Sequence, residues 1–257
     1  MFLAYGASHW AAIAVLAVGA AVLVAWGRRH RDTATATRVS RVLALAIVVV
    51  VVPFQIYGLL PGQWNPRTSL PLQLCDLAWM AAVYALWSRR RWAFALTYYW
   101  GLTLTSQAFL TPTLDGRDFP HLDYVMFWGL HLLVVWAAIY LTWGLGLRPD
   151  WRGYAIAVAG TVGWGLAMLV FNDLAGTNYG FVTAKPPGGS LLDLLGDWPW
   201  YLLTELALGT AVWALLTWPW VLRNRRPEKG SPDGATSGAA ARDLPRAARD
   251  HRAPEPR

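Results

Sequence analysis

The chain has 257 residues, of which 56% are hydrophobic and 14% charged, where an ordinary soluble domain carries about a quarter charged residues. Its 17 Trp, 10 Tyr and 8 Phe are more aromatic surface than one soluble core of this length holds, and the charges cluster between long uncharged runs. This excludes a soluble fold and marks a polytopic membrane protein. The net charge of +7 does not signal nucleic acid, because Arg and Lys sit in short interhelical segments and in the C-terminal stretch rather than on one basic face.

Seven segments carry the roughly 20 apolar residues that a membrane helix needs, near 8–27, 40–60, 70–87, 92–112, 122–145, 153–174 and 197–222. The expected fold is all-α, a seven-helix transmembrane bundle over residues 1–222. The third segment is short and the fourth carries several hydroxyls. No basic residue precedes the first span and Arg28, Arg29, His30 and Arg31 follow it, so it reads as an uncleaved anchor with its N-terminus outside. With that orientation the inner segments hold ten Arg and the outer ones only Arg67, Arg117 and Lys185, as the positive-inside rule requires of a multi-pass plasma-membrane protein. Residues 223–257 are rich in Arg, Pro, Ala, Gly and Asp and cannot bury enough apolar surface to offset chain entropy, so they read as a disordered basic cytoplasmic tail.

Polar groups within lipid are costly and face the bundle interior, so the informative residues are those inside the spans. Gln55 lies on the second; Gln73, Cys75 and Asp76 open the third; Thr103, Ser106, Gln107 and Thr111 lie on the fourth. His131 is on the fifth, Asn172 closes the sixth, and Tyr201, Thr204 and Glu205 are on the seventh. At 1.5 Å per residue, Cys75 is about 8 Å, Glu205 about 12 Å and His131 about 13 Å below the outer ends of their helices. Almost every strong polar group thus falls in the outer half, which implies one polar cavity opening toward the outer face or leaflet. Gln73 with Asp76, the series Thr103, Gln107, Thr111, the series Trp164, Met168, Asn172, and Tyr201 with Glu205 each repeat on one helix face. The segment 175–197 is long enough to be a lid or binding segment, and Ser190–Gly196 within it reads as a short surface helix.

Plainer roles stand beside these. Gln55, Thr103, Ser106 and Thr111 suit interhelical hydrogen bonding; Asn172 and Asn178 suit a helix end and a turn; a lone Cys75 or His131 suits packing. Asp76 and Glu205 are harder to assign to packing. His9, His30 and His251 show no partners. No histidine pair at metal-ligating spacing and no Gly-rich phosphate loop occurs, one cysteine cannot build a thiolate site, and Lys185 and Lys229 both lie outside the apolar runs, which excludes a retinal Schiff base. Neither a metal nor a cofactor is expected.

The element Leu70-Pro-Leu-Gln-Leu-Cys75-Asp76-Leu-Ala resembles the LPLHLCDLA element of the YwaF-like bacterial integral membrane proteins, whose eukaryotic relatives are the transmembrane protein 164 family. The resemblance continues through Tyr99-Trp100-Gly101, Gln107 to Pro112, Phe119-Pro120-His121, Gly129-Leu-His131, Asn172, Gly176-Thr177-Asn178-Tyr179, Lys185-Pro186 and Ser190 to Tyr201, and covers about residues 1–222 in order. Gln73 departs from the His usual there, and Leu132 from the Gly usual after His131. The resemblance implies a seven-helix protein that remodels phospholipids by acyl transfer, with Cys75 and His131 matching the family's proposed Cys and His. On that reading Cys75 is the nucleophile and His131 its base, and Asp76 or Glu205 orients the imidazole. Gln107, Asn172, Asn178, Tyr179 and Tyr201 line the substrate site, and the partners are membrane lipids. Two other readings compete: a transporter or binding protein for a small solute or lipid, built on Asp76, His131 and Glu205, and a bundle whose polar residues only pack.

Overall fold

The computed structural model describes residues 1–224 apart from residues 113, 115 and 187–190. The expected tail falls on residues 225–257, outside the described ones; Arg223 and Asn224 end the last helix instead. Among the described residues the regular structure is all helix, with no strand. Seven helices follow in order: α1 (Ala7–Arg29), α2 (Ala34–Leu59), α3 (Leu74–Ser88), α4 (Arg91–Tyr99), α5 (Leu122–Ile139), α6 (Trp151–Ala175) and α7 (Trp200–Asn224). Two of them change their winding. α4 continues as a π turn over Trp100–Leu104 and a 3-10 turn over Thr105–Phe109, and α5 continues as a π turn over Tyr140–Gly144. A short 3-10 helix at Leu191–Leu195 stands where the surface helix is expected.

Five stretches are long and apolar enough to cross a membrane: Ala7–Arg29, Ala34–Leu59, Leu122–Gly144, Trp151–Ala175 and Trp200–Arg223. α3 and α4 are shorter than the sequence suggests, for a local reason. Gln73 is the extended cap of α3, held by Asp76 three residues on, so α3 starts only at Leu74 and has 15 residues, while the α-helical part of α4 ends where the π turn begins. The two short helices are also the most enclosed. Ala78, Trp79, Ala81, Ala82, Ala85 and Leu86 of α3 are buried, as are Ala93, Phe94, Ala95, Thr97, Tyr98 and Tyr99 of α4. Each is buried on most of its surface, and what α3 leaves exposed is the face of Met80, Tyr84 and Trp87.

Their neighbours supply the enclosure. α3 packs between α2 and α4, α4 against α6, and α5 against α1, α2, α3 and α4, while α7 lies on α6. The faces of the peripheral helices that point away from this core are apolar: Val15, Val18 and Val22 of α1, Leu166 and Val170 of α6, and Leu208 and Leu215 of α7 are all exposed. Continuous apolar exposure of this kind suits lipid rather than water.

The alternation of the helices gathers the connections at two ends. The arginine end holds the turns after α1, α3 and α5. There Arg31 donates to Gly144 O at 2.7 Å and Trp143 O at 3.0 Å, and Arg28 to Trp143 O at 3.3 Å, covering carbonyls that the π turn of α5 leaves open. Arg41 lies over the Trp87 ring at 5.2 Å. The loop end holds the N-terminus and the segments 60–73, 110–121 and 176–199.

Candidate functional site

The loop end is organised around Tyr179. Its ring is fully buried with Met168 and Val182, and Leu70, Leu72 and Trp164 pack against this cluster. The phenol donates to Pro66 O at 2.8 Å and accepts from Leu70 N–H at 3.1 Å, which ties the segment after α6 to the segment before α3. Burial holds this phenol above its ordinary pKa, so it stays a donor. Asn172, at the end of α6, clasps the Tyr179 backbone from the other side. Its Oδ1 accepts from Tyr179 N–H and Thr177 Oγ1, both at 2.8 Å, and its Nδ2 donates to Tyr179 O at 2.9 Å. Asn178 closes the next turn by accepting from Thr183 and donating to Ala184 O at 2.7 Å. The Tyr201 hydroxyl donates to Phe181 O at 2.5 Å, and Trp198 to Val182 O at 3.2 Å.

Four of the residues expected at a substrate site, Asn172, Asn178, Tyr179 and Tyr201, therefore build a hydrogen-bonded cap over the loop end. The fifth, Gln107, is exposed on the 3-10 turn. The four-residue face expected for Thr103, Gln107 and Thr111 does not form, because the helix is π-wound through Leu104, 3-10 from Thr105, and ended by Phe109. Thr103 instead bonds Tyr99 O and accepts from Trp213 of α7. Gln55 donates to Ser69 O at 2.6 Å, joining α2 to the cap.

The cap rests on the first turn of α3. Gln73 Oε1 accepts from Gly180 N–H at 3.0 Å, and Trp164 donates to Leu72 O at 2.9 Å. Asp76 accepts from Gln73 N–H at 2.9 Å, so its carboxylate closes the start of the helix, where negative charge is favoured. Cys75 is a free, half-buried thiol between these two.

His131 lies on the neighbouring helix and is 8% exposed. Its Nδ1 is 2.6 Å from Phe127 O. A carbonyl only accepts, so Nδ1 carries the proton and the neutral ring presents the lone pair of Nε2. Antiparallel packing fixes the relative levels. Tyr84 of α3 stacks on Trp92 of α4 at 5.1 Å, which puts Cys75 level with the π turn of α4. Gly101 in that turn lies against Val134 and Ala138 of α5. Cys75 and His131 are thus one to two helical turns apart in level, ~7 Å, on helices in direct contact. No hydrogen bond joins them among the described residues. Glu205 sits apart: Tyr201, one turn earlier on α7, is buried in the cap, whereas Glu205 is exposed on its apolar helix. No cluster of metal-ligating side chains occurs among the described residues.

His9, for which the sequence shows no partner, is fully buried. Nδ1 accepts from Tyr5 N–H at 2.8 Å, Nε2 lies 3.1 Å from Phe109 O, and the ring stacks on Trp128 at 5.2 Å. It pins the N-terminus to the end of helix 4, a long-range role that leaves no local pattern to read. His30 likewise bonds Trp26 O at 2.9 Å and stacks on that ring.

No curated protein and no solved structure matches the chain. The model of the TMEM164 family matches residues 4–217, from the N-terminal segment that His9 pins in place to the last turns of α7. That match takes in the cap, the Cys75 turn and the His131 helix, and the chain belongs to the TMEM164 family.

Proposed function

We propose that this protein is a membrane-embedded acyltransferase acting on phospholipids, with Cys75 as nucleophile and His131 as its base. The observation that supports this reading best is the His131 tautomer: a buried imidazole, fixed through Nδ1–H to its own helix, presents Nε2 one to two turns in level from the only thiol in the chain. A resting separation between the pair is compatible with such chemistry, because catalytic hydrogen bonds commonly tighten only when substrate is present. In the proposed cycle, the Cys75 proton passes to Nε2 and sulfur attacks the ester carbonyl carbon. The bond from that carbon to the glycerol oxygen breaks, and the proton leaves with the lysolipid. The hydroxyl of a second lipid takes the acyl group from the thioester by the reverse steps and restores the thiol. Asp76 fixes the helix turn that carries Cys75, and the Tyr179 cap frames the site with Gln107 at its edge.

The reading includes a setting. All seven helices lie within the bilayer of the plasma membrane, the enclosed α3 and α4 reached through their neighbours, with the loop end outside, so that the site faces the outer leaflet. The test is reconstitution of the full chain in liposomes containing phosphatidylcholine with a labelled acyl chain and an unlabelled lysophospholipid. Cys75→Ser and His131→Ala are each expected to abolish transfer while the protein stays in the membrane. Full transfer by Cys75→Ser defeats the thioester route. The second reading, a proton-coupled transporter or binding protein, draws on Glu205, a carboxylic acid exposed on an apolar helix. It predicts loss of function in Glu205→Gln with Cys75 dispensable.

A further inference from the structure

Hydroxyls on the helices of this chain have a consistent habit. Thr97 closes on Ala93 O at 2.8 Å, Thr103 on Tyr99 O at 2.6 Å, Thr142 on Ala138 O at 2.7 Å and Thr217 on Trp213 O at 2.7 Å. Each satisfies itself on the carbonyl one turn back, the local bond open to any helical threonine. Thr105 does not. It is 1% exposed and its Oγ1 has no partner. Thr105 stands where π gives way to 3-10, with its backbone N–H bonded to Trp100 O, while Thr103 before it and Ser106 after it both close on backbone carbonyls.

The surroundings of that hydroxyl follow from the packing of helix 4 on α5. Gly101, Thr105 and Phe109 are buried positions along its last turns. At Gly101 a Cβ would lie 3.1 Å from Ala138 Cβ and 3.4 Å from Val134 O. Two turns on, the Phe109 ring is 5.0 Å from that of Trp128. The helices run antiparallel, so Thr105, midway between those contacts, is level with residues 131–133 of α5. Of these, His131 shares the face of Val134 and Ala138, which lie three and seven residues further on. Thr105 and His131 therefore lie at one level of the same interface, beside Leu132, which packs against the Phe109 and Trp128 cluster. One offers an unpartnered O–H and the other the lone pair of Nε2, and no hydrogen bond joins them.

We propose that Thr105 is a further residue of the His131 site, its hydroxyl donating to the carbonyl oxygen of an ester-linked acyl chain. The assignment rests on the acyl-transfer reading for its chemistry and on the unpartnered hydroxyl for its place. A donor kept free in the resting protein needs no rearrangement when negative charge develops on that oxygen, which is how a preorganised oxyanion site works. The bond to Thr105 changes no covalent partner; the proton stays on Oγ1 throughout.

Two variants of the full chain test this in the liposome assay. Thr105→Val removes the hydroxyl at nearly equal volume and, since that hydroxyl bonds nothing at rest, is expected to leave the melting temperature unchanged or raised. Transfer is expected to fall about a hundredfold, mostly in kcat. Thr105→Ser keeps the donor and is expected to restore the rate. Transfer at the wild-type rate by Thr105→Val overturns the assignment. The acyl-transfer reading fails separately, when the wild type transfers no more than Cys75→Ser. The assignment is then decided by electron cryo-microscopy of the wild type in phosphatidylcholine nanodiscs. An ester carbonyl oxygen within hydrogen-bond distance of Thr105 Oγ1 upholds it, and a Thr105 hydroxyl closed on a backbone carbonyl overturns it.

Discussion

Asn172 shows how much one side chain holds together at the loop end. Only 2% exposed, it accepts from Thr177 and Tyr179 and donates to Tyr179 O, so its amide does the work that a strand partner does in a sheet. Replacing it with alanine leaves a buried N–H, a buried C=O and a hydroxyl without partners. Each such orphan costs about 1–3 kcal/mol, and together, with partial relaxation, about 3 kcal/mol. Asn172→Ala is therefore expected to lower the melting temperature of the detergent-solubilised protein by several degrees. Asn172→Asp, which keeps the acceptor and loses only the donor, is expected to fall between the two. Equal melting of Asn172→Ala and wild type would mean that the cap is not closed by this residue. His9 follows the same logic at the other side of the loop end, where both ring nitrogens are engaged. Neither side chain differs in sequence from an ordinary polar residue near a helix end. His9 has a partner 100 positions away, which no local pattern announces, whereas the partners of Asn172 lie five and seven residues on, so that Asn172 reads equally well as a cap or a ligand from sequence.

At the scale of elements, glycine decides where helices touch. A Cβ on Gly27 of α1 would lie 2.8 Å from Gly144 Cα in the π turn of α5, so the two backbones meet with no side chain between them. A Cβ on Gly209 of α7 meets nothing within 4 Å. The two positions make a matched pair. Gly27→Leu is expected to part α1 from α5, disturb the neighbouring Arg28 and Arg31 contacts, and reduce the yield of folded protein on size-exclusion chromatography. Gly209→Ala is expected to be neutral or to stabilise by up to about 1 kcal/mol through helix propensity. Similar loss in both would show that α1 is not docked this way. Helix existence was legible from apolar periodicity and from arginine clusters between spans, and all seven segments are helices. Helix type was not. Nothing in Trp100–Leu104 or Tyr140–Gly144 distinguishes a π turn from an α turn, since both expose the same residue types, and the change of winding is imposed by packing. Thr105 is one of several hydroxyls in that segment, and nothing in the sequence sets it apart as the one without a partner, whereas Cys75 and His131 stand out by residue type and resemblance.

The whole molecule has two chemically different ends, and they set the orientation to expect. Arg28, Arg29, Arg31, Arg89, Arg90, Arg91, Arg148 and Arg152 collect at the arginine end. Several are fixed there: Arg28 and Arg31 on the carbonyls that close α5, Arg41 over Trp87, and Arg89 on Thr37 at 3.3 Å. Asp118, Asp123, Asp193 and Asp197 lie at the loop end, where Lys185 approaches Asp193 at 3.8 Å and Asp197 at 4.0 Å and acidic residues outnumber basic ones. A membrane inserts such a molecule with its basic end toward the cytoplasm. Reporter fusions in the turns at residues 32 and 90 are therefore expected to read cytoplasmic, and those at residues 65 and 185 external. The same orientation requires an odd number of crossings, which the five long spans give and which is kept only when α3 and α4 both cross or both do not. Single-cysteine labelling separates the possibilities. In a Cys75→Ser background, a cysteine at Arg90 is expected to resist an impermeant thiol reagent until the membrane is opened, and one at Thr68 to react at once. Immediate reaction at both positions would place residues 68 and 90 on one side, reduce α3 to a re-entrant element, and move Cys75 and its cap out of the outer leaflet.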